Sequence, residues 1–369
     1  MHEKETLHSQ IQKYILRLIE TGEKKPGDKL PTEHELSAMF HTSRTTVLRA
    51  LDQLMAQGVI YKRRGSGSYV ADRHNDGDNL PIVSMILPFS HNTDFSYVPN
   101  EHLLIRGCQA YLARKGYLLT ISYASESSEN EFDVIRQCKE NSTRGAILYP
   151  SSNIAPLSDF YRLMLDDFPI VLIDHPLISL ECSFVLSDNK AGGAIAADHL
   201  FEIGCDNLTF VCETDTFSHF SIQDRYFGFC KSMKQHEYDI DKANYYVSCY
   251  EKAREDGLTI QEYLATILTQ IIRQPAKKYG IFCTTDTIAS GLLEAAQKFG
   301  IDVPGKLAII GYSSSDQIPI HPLTTITQDF YSIGENAARE LLKIINHSVA
   351  GDTFKTKYIP VSLSRGATT

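Results

Sequence analysis

The chain has 369 residues and a formal net charge of −9. That length exceeds one ordinary domain, so two or three domains are expected. No apolar run reaches transmembrane length and the N-terminus lacks an apolar signal region, which predicts a cytoplasmic protein that does not enter membranes. The 8 cysteines form no C-x-x-C pair and the 13 histidines lack ligand spacing, so we expect neither a metal site nor a cofactor.

Three helices are predicted in the first 60 residues. Apolar residues recur at helical spacing from Leu7 to Ile19. Thr32 is a candidate N-cap for a second helix, and Glu35 three residues later completes a capping box. A third helix opens at Ser43 and ends before Gly58, where a left-handed cap is expected. The second and third helices are joined by a tight turn at residues 41–42.

The third predicted helix carries polar and basic side chains on its first turn and outer face. A helix of this kind enters the major groove with its N-terminal residues at base edges. We therefore predict base contacts from five residues of this segment: Ser43, Arg44, Thr45, Thr46 and Arg49.

A pair of short strands is predicted directly after this helix. Residues 59–64 form a strand pattern that runs into the glycine-rich tip 65–67, and residues 68–70 return. The tip glycines permit close approach to phosphate, and the cations contact the DNA backbone. The predicted backbone contacts are Arg63, Arg64, Gly65 and Gly67.

These segments together resemble the GntR family of winged-helix regulators. The resemblance rests on residues 26–33, 43–47 and 65–70, in this order and spacing. It implies that Arg44, Thr45, the wing glycines and the position of His34 face DNA. The family usually has a second arginine where this chain has Leu48, and we expect Arg49 to take that role.

Charge and composition divide the chain after this head. Residues 1–73 hold 12 basic and 9 acidic residues, a net +3, so the remainder carries 24 against 36, a net −12. A cationic head on an acidic body restricts nucleic-acid binding to one end. We expect a winged-helix domain at 1–72, a polar linker at 73–81 and a second domain at 82–369.

The second domain alternates apolar runs of strand length with helical segments. The first run is Ile82–Pro88, and later ones include Ile170–Asp174, Tyr245–Cys249 and Leu307–Gly311. This alternation predicts an α/β fold with parallel sheets covered on both faces, and ligands in such sheets bind at the carboxyl ends of the strands. The sequence contains no P-loop, HExxH or GxSxG motif, so we predict no catalytic residues.

The order of motifs in this second domain is similar to the LacI-type sensor family, which has the two-lobed fold of periplasmic binding proteins. The similarity is carried by residues 169–174, 187–204, 221–229, 285–291 and 303–329. It implies a first lobe at about 82–183 and 328–349 and a second at about 184–327 and 350–369. A GntR-type head on a LacI-type sensor resembles the AraR-like arabinose repressors.

The resemblance also implies an effector site for a sugar between the lobes. Sugar hydroxyls are paired donors and acceptors, so carboxylates, amides and a guanidinium suit them. Because the chain has no tryptophan, stacking on the sugar would come from Phe or Tyr, with Phe217 and Phe220 as alternatives to Phe89. The predicted effector-binding residues are Phe89, Asp174, Arg225, Thr285, Asp286 and Gln328.

The predicted function is a sequence-specific transcriptional regulator. In this reading a homodimer represses sugar-utilisation genes from operator DNA and is released by a monosaccharide such as arabinose. A sugar-binding transport receptor, a transcriptional activator with the same sensor and an enzyme on the α/β scaffold are the alternatives. The absent signal region and the winged head argue against the receptor, and the lack of a nucleophile or metal set argues against the enzyme. The sequence leaves the sugar and the operator open.

Overall fold

The computed structural model describes residues 7–25, 27–56, 58–63, 66–71, 80–89, 100–125, 128–150, 168–174, 182–214, 219–313, 323–346 and 355–369. The chain forms two compact units, and the division falls between Leu80 and Pro81. In this part of the chain, no helix combines the length and the apolar character that crossing a membrane requires.

The first unit contains the three predicted helices and the predicted hairpin. Its elements are α1 (Leu7–Glu20), α2 (Glu33–Met39), α3 (Arg44–Ala56), β1 (Ile60–Arg63) and β2 (Gly67–Val70). The capping box of Thr32 and Glu35 is confirmed, and Gly58 has the positive φ expected of a left-handed cap. The strands β1 and β2 are antiparallel. Their apolar side chains and those of the helices form one core.

The second unit contains two sheets, and the first has the strand order β13-β7-β6-β5-β3-β4. All its pairings are parallel. Its strands are β3 (Ile82–Phe89), β4 (Leu118–Ser125), β5 (Ala146–Leu148), β6 (Ile170–Ile173), β7 (Ser183–Ser187) and β13 (Thr356–Ile359). The helices of this lobe are α4 (Glu101–Arg114), α5 (Ser128–Glu140) and α11 (Phe330–Ile345). Separate apolar clusters cover the two faces of the sheet, as parallel sheets require.

The second sheet has the order β14-β12-β11-β10-β8-β9, and only β14 runs antiparallel to its neighbour. Its strands are β8 (Asn207–Val211), β9 (Asn244–Tyr246), β10 (Tyr279–Cys283), β11 (Leu307–Ser313), β12 (Thr324–Gln328) and β14 (Val361–Ser364). The helices of this lobe are α6 (Asn189–Glu202), α7 (Phe220–Gln235), α8 (Cys249–Glu255), α9 (Ile260–Ile272) and α10 (Asp286–Lys298), with a short 3₁₀ turn at Ile240–Lys242. The core again lies on both faces.

The strand pairings move two of the predicted lobe boundaries. Since β7 pairs with β6, the chain leaves the first sheet after Ser187 rather than near residue 183. Since β13 pairs with β7 and β14 pairs with β12, the last crossing lies at Pro360 rather than near residue 350. The middle crossing follows Gln328, close to the predicted position. These three crossings join the two lobes.

One predicted strand is shorter than its apolar run. The strand predicted at Tyr245–Cys249 ends at Tyr246, and Cys249 begins α8. Ser248 has a φ of +55°, a left-handed conformation that ends the strand and turns the chain into the helix. Cys249 is buried as a helical residue, so its apolar character does not distinguish a helix from a strand.

Candidate DNA-binding surface and effector cleft

Helix α3 presents most of the predicted DNA-binding side chains outward. Arg44, Thr45 and Arg49 are exposed on it, and His34 is exposed on α2. The hydroxyl of Ser43 accepts from the amide of Thr46 at 3.3 Å and so caps the helix. The opposite face of α3 is buried through Val47, Leu51 and Leu54. The geometry is that of a helix whose first turn is free to meet a ligand.

Glu33 links the recognition helix to the wing strand. Its Oε2 accepts from Arg44 Nε at 2.8 Å, and its Oε1 accepts from Lys62 Nζ at 2.8 Å. The hydrogen bond from Lys62 is the largest cause that lowers the pKa of Glu33 below its ordinary value, and the bond from Arg44 adds to it. Arg44 remains 77% exposed. Glu33 therefore fixes Arg44 through its Nε atom, while most of the Arg44 side chain remains exposed to solvent. The sequence patterns did not indicate this role of Glu33.

The wing hairpin stacks one predicted cation on aromatic rings. The guanidinium of Arg63 lies 5.1 Å from the ring centroid of Tyr69 and 5.6 Å from that of Tyr61. Gly67 has a φ of +116°, which other residues rarely adopt. The predicted contacts Arg64 and Gly65 lie outside the described residues. The described part of the wing thus has the turn and the exposed cation that backbone contact needs.

The candidate effector residues lie at the ends of strands in both lobes. In the first lobe, Asp174 follows β6 with a φ of +64° and is 8% exposed. The hydroxyl of Tyr149, which follows β5, donates to Asp174 Oδ2 at 2.6 Å. The phenol thereby fixes one carboxylate oxygen, a contact that the sequence patterns did not reveal. Phe89 ends β3, and its side chain lies outside the described residues.

The second lobe holds Arg225 in a buried network. Arg225 Nε donates to Asn189 Oδ1 at 2.9 Å, and Nη1 donates to the carbonyl of Thr284 at 2.8 Å. The guanidinium lies 3.7 Å from the ring centroid of Tyr312, whose hydroxyl donates to the same Asn189 oxygen at 2.9 Å. The residue is 7% exposed. Two hydrogen bonds and an aromatic face therefore fix the guanidinium.

A close crossing of α6 and α7 puts Arg225 beside Asn189. A Cβ at Gly193 would lie 1.9 Å from the carbonyl oxygen of Arg225, and one at Gly228 would lie 1.9 Å from the carbonyl oxygen of Lys190. Only glycine permits this distance between the helices. Gly193 and Gly228, which lie in segments 187–204 and 221–229 of the resemblance, thus help to position Arg225.

Charges of both lobes act at Tyr312. Burial raises the pKa of Tyr312 to about 12, the charge of Arg225 opposes the rise, and the charges of Asp174 and Asp188 add to it. Asp174 belongs to the first lobe, whereas Tyr312, Arg225 and Asp188 belong to the second. The predicted aspartate and the predicted arginine thus both act on Tyr312.

Two further predicted residues make contacts inside the second lobe. The hydroxyl of Thr285 accepts from the amide of Ile288 at 3.4 Å and caps α10. The carboxylate of Asp286 is buried, accepts from the hydroxyl of Thr325 at 2.6 Å and lies against Gly311. Burial raises the pKa of Asp286, and the Thr325 bond opposes the rise. Both side chains thus shape the strand ends, and their contact with an effector remains a prediction.

Gln328 lies at a crossing between the lobes. It ends β12 and is 9% exposed. Its Oε1 accepts from the hydroxyl of Ser187, the last residue of β7, at 2.7 Å. Ser187 precedes the first crossing between the lobes and Gln328 precedes the second. This hydrogen bond therefore joins the two interlobe connections. The contact places Gln328 at a connection between the lobes, and its role in effector binding remains a prediction.

Two family models match separate parts of the chain. Residues 7–70 match the gntR family of bacterial regulatory proteins, and residues 197–369 match a periplasmic binding protein-like domain. The arabinose metabolism transcriptional repressor of Geobacillus stearothermophilus is 27% identical, covering 97% of this chain and 96% of that protein. The ribose operon repressor of Halalkalibacterium halodurans is 27% identical over 76% of this chain and 77% of its own length.

Solved structures show the same fold for the second unit. A LacI family transcriptional regulator from Enterococcus faecium with bound ribose has a TM-score of 0.60 at 19% identity, covering 78% of this chain and 98% of that one. A lac repressor dimer bound to operator has a TM-score of 0.60 at 16% identity, covering 79% of this chain and 95% of that one. The chain thus combines a segment that matches the gntR family of bacterial regulatory proteins with a segment that matches a periplasmic binding protein-like domain, and it is similar over nearly its whole length to arabinose metabolism repressors.

Proposed function

We propose that this protein is a transcriptional repressor that binds operator DNA through its head and a monosaccharide through its two-lobed domain. The observation that carries the proposal is that one chain contains two candidate sites. One is a helix with an exposed Arg44 held by Glu33, and the other is a set of strand-end residues in which Asp174 and Arg225 both act on Tyr312. The relatives that match nearly the whole chain are named arabinose repressors, so arabinose or a related sugar is the proposed effector.

In the proposed DNA complex, α3 reads bases and the wing contacts phosphates. Arg44, Thr45, Thr46 and Arg49 meet base edges from the first turns of α3, with Ser43 and His34 beside them. Arg63, Arg64 and the wing glycines contact the backbone. A homodimer would place two heads on a pseudo-palindrome, with a dissociation constant of about 10⁻⁸ to 10⁻¹¹ M at physiological salt. A protein with this role is cytoplasmic.

In the proposed effector complex, the two lobes close on the sugar. Asp174 accepts from hydroxyls, Arg225 donates to hydroxyl or ring oxygens, and Phe89 covers an apolar face. Thr285, Asp286 and Gln328 complete the polar wall. Closure bends the three crossings at residues 188, 329 and 360, which is a hinge motion. Closure repositions the heads of a dimer and weakens their simultaneous contact with two half-sites.

A binding assay tests the DNA half of this proposal. Purified protein should shift a fragment from the region upstream of its own gene at nanomolar concentration and should bind random DNA of equal length at least a thousandfold more weakly, in line with the usual ratio of about 10³ to 10⁷. Equal affinity for both fragments would refute sequence-specific regulation. Deletion of residues 1–80 provides the control, because the remaining unit keeps its own core and lacks the recognition helix.

A further inference from the structure

Glu213 is an acidic residue beside Arg225 that the sequence patterns did not mark. It is the second residue after β8, which pairs in parallel with β10 in a register that aligns Val211 with Cys283. Glu213 and Thr284 therefore leave adjacent strands at the same carboxyl edge, where parallel sheets bind ligands. The hydroxyl of Thr284 donates a short hydrogen bond to Glu213 Oε2.

Thr284 connects this carboxylate to the arginine of the cleft. Its hydroxyl contacts Glu213, and its carbonyl oxygen accepts from Arg225 Nη1 at 2.8 Å. Glu213 is half-buried, and its Oε1 accepts no hydrogen bond from the described residues. One carboxylate oxygen is therefore fixed by Thr284, and within the described residues the other oxygen has no hydrogen-bond donor.

The contacts of Arg225 limit what it can offer an acidic ligand. Carboxylates and phosphates are bound best by two parallel N–H donors of one guanidinium. Here Asn189 takes the Nε donor, Thr284 takes one donor of Nη1, and Tyr312 covers a face of the plane. Of the two parallel donors Nε and Nη2, Nε is thus already used by Asn189.

The surrounding charges also disfavour an acidic ligand. Asp174 and Asp188 act on Tyr312 from either lobe, and Glu213 adds a third carboxylate on the Arg225 side. Because Arg225 contacts both Tyr312 and Thr284, three carboxylates act on the direct partners of one guanidinium. In a cleft that excludes water on closure, such an excess of negative charge repels an anion more strongly than it would in bulk water.

We propose that Glu213 is a specificity-determining residue of the effector cleft. Its Oε1 accepts from a hydroxyl of the effector, and its charge excludes a ligand with a carboxylate or phosphate at that position. The inference rests on the proposed function and deepens it, because it assigns the selection of uncharged over acidic sugars to a named side chain.

Two matched sugar series test the proposal by calorimetry on the full-length protein. L-arabinose, D-galactose and D-galacturonate share their ring hydroxyls and differ in the substituent at C5, and so do D-xylose, D-glucose and D-glucuronate. We expect the wild type to bind a neutral member of one series and to bind the uronate of that series at least a hundredfold more weakly. Wild-type binding of a uronate as tightly as its neutral counterpart would overturn the proposal.

The variant Glu213→Gln separates charge from shape, because the amide oxygen still accepts from Thr284. Loss of a charged acceptor should lower the affinity for the neutral sugar by about tenfold, or about 1.4 kcal/mol, while the uronate affinity stays the same or rises. The ratio of the neutral-sugar affinity to the uronate affinity should therefore fall at least tenfold. An unchanged ratio in a variant with the wild-type unfolding temperature would refute the role of Glu213.

The variant Glu255→Gln is the matched control. Glu255 is exposed on α8 of the same lobe, so its change alters net charge by the same amount away from the cleft. It should leave the affinities for the neutral sugar and the uronate at their wild-type values. A lower ratio of neutral-sugar to uronate affinity in this variant would show that the change in selectivity comes from overall charge. If the wild type binds none of the six sugars, the proposed function fails and this inference fails with it.

Discussion

The exchange Asp174→Asn gives the cleanest perturbation of the effector cleft. Asp174 has a φ of +64°, a conformation that asparagine adopts readily, so the backbone should not change. The amide oxygen can still accept from Tyr149, which keeps the local packing. An alanine at this position would add left-handed strain of about 1–2 kcal/mol. The exchange thus removes the charge and little else.

The expected loss follows from the difference between charged and neutral hydrogen bonds. A bond to an ionised acceptor contributes about 1.5–3 kcal/mol, and a neutral one about 0.5–1.5 kcal/mol. Each sugar hydroxyl that donates to Asp174 should therefore lose about 1–1.5 kcal/mol, which corresponds to about tenfold in affinity. One hydroxyl predicts a tenfold loss of affinity, and two predict about a hundredfold loss.

Calorimetry with the bound neutral sugar measures this loss, and fluorescence anisotropy with operator DNA measures the accompanying release. DNA affinity without sugar should stay at the wild-type value, while the sugar concentration for half-release should rise by the same factor as the dissociation constant. Asp133→Asn on α5, where the carboxylate is half-exposed and bonded to Arg136, is the control. Wild-type sugar affinity in Asp174→Asn would refute the placement of the effector site.

Three further predictions address the head and the helix crossing. Arg44→Ala should cost about 1–3 kcal/mol of operator binding and relax base preference, whereas Arg63→Ala should weaken binding to every sequence and reduce the salt slope by about one; a reduced salt slope without altered base preference in both variants would contradict the division. Gly193→Ala should lower the unfolding temperature and the sugar affinity together, because the new methyl group meets the Arg225 carbonyl; an unaltered melting curve would show that the helices can separate at no cost. The pKa of Glu33 is lower in the folded head than its ordinary value of 4.5, so the ionised carboxylate stabilises the head above that pH, and this stabilisation is lost as the pH falls through the lower folded value. Glu33→Gln should therefore destabilise the head more at pH 7 than at pH 3 in scanning calorimetry. An equal loss of stability at both pH values would contradict the role of its charge.

Local patterns predicted the head because each of its elements has a strong local signal. Thr32 and Glu35 form the capping box, and Gly58 takes the left-handed conformation that its position required. Strands β12 to β14 follow the last predicted apolar run, Leu307–Gly311, and their own sequence signal is weak. The residues of β12 are mainly threonine, and β13 and β14 alternate exposed and partly buried side chains at sheet edges. Such edge strands are defined by their partners rather than by an apolar run.

The candidate site was predictable only where a motif carried it. Asp174 and Arg225 stand in segments whose order resembles a known sensor, and both act on Tyr312. Tyr149, Asn189 and Tyr312 are distant in sequence from the side chains they hold, so the strand order and the crossing of α6 and α7 are needed to bring them together. The lobe boundaries were shifted for the same reason, since a crossing is defined by which strands pair and not by local composition.

The central claim is that a sugar bound between the lobes lowers the affinity of the protein for operator DNA. Anisotropy of a labelled operator fragment, titrated with full-length protein at fixed concentrations of L-arabinose from zero to saturation, tests it most directly. The apparent DNA dissociation constant should rise about 5- to 150-fold, equivalent to a coupling of about 1–3 kcal/mol, and operator DNA should lower the affinity for the sugar by the same factor. A DNA dissociation constant that stays constant while calorimetry shows the sugar bound would contradict the account.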